Sequence, residues 1–289
     1  MSPPPKAILF DIGGVCVISP FQAILDYERA HNIPIGYINS AIQKGPLETG
    51  AWQQIERGEV ELNDAWFARF KAQLEDADAW AAFCVKNGLP DEKVPSIDAK
   101  ALFWDMMRIS RTPDPYMYPA LLKLGSFSVP SSSPTATGKQ VVSQFILGAL
   151  SNTIRFPPSI LDDKNVPFTS ALLHPSSSSS SPPPNSPLPN FDPTNIATHF
   201  HTYLSSAHLG VRKPDLAAYE LAVRELSRLS EARGTGVIEA RDVVFLDDIG
   251  ANLKGARAVG LRTIKVALGR TREAVRELEE MVGRSLLEE

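Results

Sequence analysis

The sequence is poor in cysteine. Only Cys16 and Cys84 occur among 289 residues, and neither has a second thiol close by, which excludes a disulfide framework and most cysteine-based metal sites. It has no apolar run long enough to span a bilayer, so no membrane association is predicted. Positive charge is not in excess: 29 Lys and Arg stand against 33 Asp and Glu, a formal net charge of -4. No nucleic-acid partner is therefore expected. MSPPPKAILF at the start lacks a basic segment leading into a long apolar stretch, and SLLEE at the end matches no familiar targeting tail. A reducing, cytoplasmic setting is the expectation. The five histidines, His31, His174, His199, His201 and His208, have no acid or cysteine placed to complete a metal site and read as surface or core residues.

What is present points to a substantial core. Hydrophobic residues make up 43% of the chain, an ordinary fraction for a globular protein. Lys6-Ala-Ile-Leu-Phe10 is a short apolar run ending at Asp11, the pattern of a strand buried on both faces. Residues Pro20 to Tyr118 then carry a helical pattern, with Trp52, Trp66, Phe67, Phe70, Trp80 and Phe83 at spacings that build apolar helix faces. They read as the core of a separate helical module inserted after the first strand. Afterwards strands and helices alternate. QFILGALSNT, a short run within Phe200 to Ser205, DVVFLDD and LRTIKVAL read as strands. KPDLAAYELAVRELSRL (with proline in its first turn), ANLKGARAVG and TREAVRELEEMVGRSLL read as helices. Such alternation implies a doubly wound, mostly parallel α/β sheet. Two Ser/Pro-rich stretches interrupt it, residues 126–138 and 157–195, and both are expected to be disordered.

Four features fall at or just after predicted strand ends: Asp11 in FDIGGV, Ser151 in LSNT, Lys213 in GVRKPD, and Asp247-Asp248 in FLDDIGANL. Open α/β sheets place their ligands at these ends. Each feature alone is also consistent with a cap or a solvated turn; their order and common placement are what single them out. Together they meet the needs of phosphoryl transfer. A carboxylate attacks phosphorus once its repulsion from the phosphate is screened. Magnesium held by two or three carboxylates provides screening, a lysine fixes positive charge, and a serine hydroxyl binds another phosphate oxygen.

In that order the four segments resemble the motifs of the haloacid dehalogenase superfamily. The first half, including FQAILDYERAHNIPIGYINSAIQKGP, is similar to the phosphatase-like amino-terminal domain of soluble epoxide hydrolases and to a related domain in an acyl-CoA dehydrogenase family. The resemblance spans nearly the whole chain apart from the inserts and extreme ends. It implies that Asp11 is the nucleophile and that magnesium is held by Asp11, the backbone carbonyl of Gly13, and Asp248. Asp247 would lie in or just outside that shell, oriented by Asn252. It further implies that Ser151, Asn152 and Lys213 grip the phosphate of a small phosphorylated substrate. The implied organisation is a core over residues 6–18 and 116–284 with a helical cap over 19–115. Nothing in the sequence assigns an oligomeric state.

One position departs from the pattern. Active members of the superfamily usually carry a second aspartate two residues after the nucleophile, and here that residue is Gly13. The backbone carbonyl is retained, but the acid/base is not, which predicts slowed turnover. Some relatives that resemble this sequence and carry this form of the first motif are regarded as sugar-1-phosphate phosphatases. The reading adopted is a slowed, magnesium-dependent phosphomonoester hydrolase. Its alternatives are a ligand-binding or regulatory protein and a 2-haloacid dehalogenase, a metal-independent reaction that the paired acids argue against. Epoxide hydrolysis needs a further α/β-hydrolase domain for which this chain has no room.

Overall fold

Every residue of Ala7–Phe10 (β1) is fully buried, and this strand organises the sheet. In the computed structural model, which describes residues 3–90, 93–130, 141–169, 171–173 and 191–287, β1 pairs on both sides. One neighbour is Ile146–Ser151 (β4 in chain order), in the register Ala7 to Ile146. The other is Val243–Asp247 (β6), in the register Ala7 to Val243. Thr202–Ser205 (β5) and Arg262–Lys265 (β7) flank these, giving the order β5-β4-β1-β6-β7 with every pair parallel. A short antiparallel pair, Ser128–Pro130 (β2) with Val141–Ser143 (β3), stands apart.

Side chains alternate across the pleat of β1, so the two faces bury different neighbours. Ile8 and Phe10 pack with Met117–Ser126 (α7) and Thr271–Val282 (α11). Ala7 and Leu9 pack with Leu216–Ala232 (α9) and Gly250–Val259 (α10). Helices thus cover both faces of an α/β sheet. A third apolar cluster joins the six helices between β1 and α7: Pro20–Ala30 (α1), Tyr37–Gln43 (α2), Ala51–Glu56 (α3), Asp64–Leu74 (α4), Ala77–Asn87 (α5) and Ala99–Ile109 (α6). Ser19, Asn63, Asp76 and Asp98 open α1, α4, α5 and α6, each accepting a hydrogen bond from a first-turn backbone N–H. The aromatics are the core of this unit. Trp66 stacks on Phe70 at 5.0 Å between ring centroids and donates its indole N–H to the Ala51 carbonyl at 2.9 Å. No helix among the described residues is long and apolar enough to cross a membrane.

Three local expectations are corrected. Pro214 lies outside α9, which begins at Leu216 behind Asp215, because the chain turns between Lys213 and the helix. The first Ser/Pro-rich stretch contains β2, paired through Val129 to Val142, while residues 131–138 lie outside the described residues. The second is not uniformly without structure. Asp162 accepts from the N–H groups of Lys164 and Val166, Phe168 packs into the helical cluster, and Leu173 packs against the sheet. A few apolar side chains with partners are enough to order those segments; residues 170 and 174–190, including His174, lie outside the described residues. His199 is a core residue and His201 is partly buried. His199 meets the Tyr118 hydroxyl at 2.9 Å, and His201 accepts from the Leu147 N–H at 2.9 Å.

Candidate active site

Parallel strands that share a register deliver their following residues to one edge. Here β4, β1 and β6 end side by side, so Ser151, Asp11 and Asp247-Asp248 meet at the carboxyl edge of the sheet. Carboxylate oxygens of Asp11, Asp247 and Asp248 lie within 4.8 Å of one another. Lys213 reaches them from the turn before α9. Its ammonium is 2.9 Å from Asp11 Oδ1 and 2.7 Å from Asp247 Oδ2, with no side-chain exposure. Burial pushes the lysine pKa down, but the two carboxylates outweigh it and hold it above its ordinary value.

The acids are not equivalent. Asp247 is fully buried and engaged by protein donors: Lys213 on Oδ2, the Ile249 N–H on Oδ1 at 2.7 Å, and Asn252 Nδ2 on both oxygens at 3.1 Å. Asn252 is itself fixed where the Tyr219 hydroxyl donates to its carbonyl at 2.7 Å. Asp248 instead faces a cavity of about 350 Å³ together with Asp11, Gly13, Ser151 and Lys213. Burial, then the charges of Asp11 and Asp247, push its carboxyl up to about 8. Three carboxylates around one ammonium leave negative charge that a hard divalent cation with oxygen ligands suits. Asp11 Oδ1 is oriented twice, by Lys213 and by the Ile12 N–H at 2.7 Å.

The loop after Asp11 is shaped around Asp248. Gly14 has φ +78°, and a Cβ there would fall 2.3 Å from Asp248 Oδ2, so only glycine both turns the chain and clears the carboxylate. Gly13 has room for little more: its Cβ would meet Pro20 Cδ at 3.3 Å.

Asp11, Ser151, Asn152, Lys213, Asp247 and Asp248 are thus gathered at one site, but Asn152 uses its side chain on the protein. Its Oδ1 accepts from the Lys213 N–H at 2.9 Å and its Nδ2 donates to the Lys213 carbonyl at 3.0 Å. Several residues at the site carried no signal in the sequence. Ser19 caps α1 and lies 3.4 Å from Asp248 Oδ2. Glu56 on α3 pairs with Arg212. Arg111 is held over the Phe168 ring at 4.2 Å, with its pKa lowered by burial to about 10. Much of the remaining wall is apolar, including Phe21, Ile42, Trp52 and Met107 from the helices. Position in sequence could have flagged only Arg212, beside Lys213.

No family model matches the chain. Mouse acyl-CoA dehydrogenase family member 10 is 24% identical over 278 residues, 96% of this chain and 19% of the mouse protein. Pig bifunctional epoxide hydrolase 2 is 38% identical over 93 residues, 32% of this chain and 15% of that protein. The chain spans less than a fifth of the length of these curated relatives. Among solved structures it is similar to a HAD family enzyme of Bacteroides thetaiotaomicron in complex with magnesium and inorganic phosphate. The identity is 16%, covering 90% of this chain and 93% of that one, with a TM-score of 0.43. It is similar also to an L-2-haloacid dehalogenase, with 17% identity, 91% and 86% coverage, and a TM-score of 0.43.

Proposed function

We propose that the chain is a magnesium-dependent hydrolase of a small phosphomonoester, working through an aspartyl-phosphate on Asp11. The observation that carries this reading is the convergence of Asp11, Asp248 and the buried Lys213 on the lining of one cavity. Magnesium would be held by Asp11, the Gly13 carbonyl and Asp248, where it would neutralise phosphate charge as a Lewis acid. Asp247, engaged by Lys213 and Asn252, holds the lysine in place from outside that shell.

In this mechanism an oxygen of Asp11 attacks phosphorus as the bond to the leaving oxygen breaks, and water then attacks phosphorus to release Asp11 and inorganic phosphate. Lys213 keeps positive charge beside the nucleophile throughout, which lowers repulsion between carboxylate and phosphate. Ser151 lies at the end of β4 to donate to a phosphate oxygen, and Asn152 fixes the lysine backbone. The helices act as a cap over the leaving group. Gly13 supplies no proton, a loss worth about 10²–10⁴-fold in rate and less for an acidic leaving group.

The test is phosphate release from an activated aryl phosphate, with and without magnesium, beside an Asp11→Asn control. Magnesium-dependent release that is absent from the control is expected. Gly13 favours one other reading, a phosphate-binding protein without turnover. No release above the control, with magnesium still bound in calorimetry, would establish that reading instead.

A further inference from the structure

We infer that Glu56, on the helical unit, is a positioning residue for Lys213, so that the helices set the geometry of the phosphate site as well as covering it. This rests on the reading of the site as one for phosphoryl transfer.

The observation is a closed ring of contacts. Arg212 donates from Nε to Glu56 Oε2 at 2.8 Å and from a terminal nitrogen at 2.5 Å. The next residue is Lys213, whose backbone N–H and carbonyl are both clasped by the Asn152 side chain. Asn152 leads into Thr153, whose N–H donates to Ser206 Oγ at 2.9 Å. Ser206 in turn donates its hydroxyl to the Glu56 carbonyl at 2.5 Å, closing the ring. The last turn of α3 is thereby tied to the loop that follows Ser151 and to the turn that carries Lys213.

The seat of that turn is close. Gly58 has φ +69°, and a Cβ there would fall 2.2 Å from the carbonyl oxygen of Ala207, in Ser206–Leu209 (α8). The contact is with backbone, so the two segments approach as near as a missing side chain allows. Glu56 and Arg212 both line the cavity.

A pair that only joined the two units could sit anywhere along their contact. This one is a single peptide bond from the lysine whose ammonium must hold both Asp11 and Asp247. Misplacing a catalytic group by about 1 Å can cost on the order of 10²-fold in rate. The reach of the Glu56 side chain therefore matters more than its charge.

Three variants of the full chain test this: Glu56→Gln, Glu56→Asp and the double variant Glu56→Met with Arg212→Met. Each is compared with wild type in melting temperature and in kcat and KM for magnesium-dependent hydrolysis of an aryl phosphate. Glu56→Gln, which keeps the reach, is expected to lose no more than about threefold in kcat. Glu56→Asp, which keeps the charge but retracts the carboxylate, is expected to lose about tenfold with KM unchanged. The double variant replaces a buried ion pair by apolar side chains, so it should melt no lower than wild type while losing about 10–10²-fold in kcat. Unchanged kcat in Glu56→Asp and the double variant, or a larger loss in Glu56→Gln than in Glu56→Asp, overturns the inference. Should the double variant not fold, the Gln-to-Asp ranking alone decides. A wild-type chain without magnesium-dependent release defeats the underlying reading and the inference with it. An active wild type with unaffected variants defeats the inference alone.

Discussion

The sheet half and the helical half of the molecule face the same cavity with different materials. The sheet half supplies Asp11, Ser151, Lys213 and Asp248, carried by strand ends and turns whose positions follow from backbone register. The helical half supplies Phe21, Ile42, Trp52 and Met107, placed by side-chain packing. Ladder hydrogen bonds fix a strand end to within a fraction of a residue, because a slip of one turns every side chain to the other face. An apolar wall tolerates volume-conserving exchange. On the proposed function, groups that must act on one phosphorus atom sit on the sheet, and groups that need only fit a leaving group sit on the helices. Glu56 crosses this division, and so do its predicted effects.

Changes on the two sides should separate activity from stability, the largest effect coming first. Lys213→Met keeps an unbranched side chain up to its fourth atom but leaves Asp11 and Asp247 without their shared cation. On the proposed function, kcat should fall by about 10³-fold, measured under saturating magnesium. Trp66→Ala, in the helical core, removes a ring packed among Trp52, Phe67, Phe70 and Phe103. It should cost about 3–4 kcal/mol of unfolding free energy in urea titration, with kcat of the folded fraction within about threefold of wild type. Equal loss of stability from both variants would erase the distinction.

Acid is a further probe of the sheet half. Burial lowers the pKa of His199 and of His201 to about 4, against an ordinary value near 6.5. Both are then neutral in the folded chain at pH values where the unfolded chain binds protons. Their contribution is fully present above about pH 6.5 and is lost as pH falls from there through about 4. Denaturant midpoints should drop between pH 6.5 and 5 by the equivalent of roughly 3 kcal/mol, and His199→Gln should flatten part of that slope.

The smallest effect expected is a gain. Gly13→Asp would restore an acid where Pro20 must shift by a few tenths of an ångström to admit the Cβ. A rise in kcat of about tenfold for a poor leaving group, and little change for an activated aryl phosphate, would identify proton transfer as the missing function.

How much of this was legible in the sequence follows the same division. The buried run before Asp11, the paired acids after DVVFL and the lysine before α9 are local patterns, and the parallel order of strands follows from alternation with helices. Trp66, Phe70 and Phe83 are readable as core from their periodicity. Glu56 was not, because its partner Arg212 lies 156 residues away and nothing in AWQQIERGEV distinguishes it from a solvated charge. Resemblance puts Asn152 beside the phosphate; that its amide also clasps the Lys213 backbone, 61 residues away, is carried by no local pattern. The ordered parts of the second Ser/Pro-rich stretch were missed because composition averages over Phe168 and Leu173, and two buried apolar side chains outweigh their polar surroundings locally.

On the proposed function Asp11 becomes covalently phosphorylated in every turnover. Acid-quenching the chain during turnover of an activated aryl phosphate with magnesium, followed by mass spectrometry of the peptide containing Asp11, measures this directly. A phosphoryl adduct on Asp11 that is absent from Asp11→Asn is the expected result. Steady phosphate release with no adduct on Asp11, or an adduct formed from a 2-haloacid without magnesium, would contradict it.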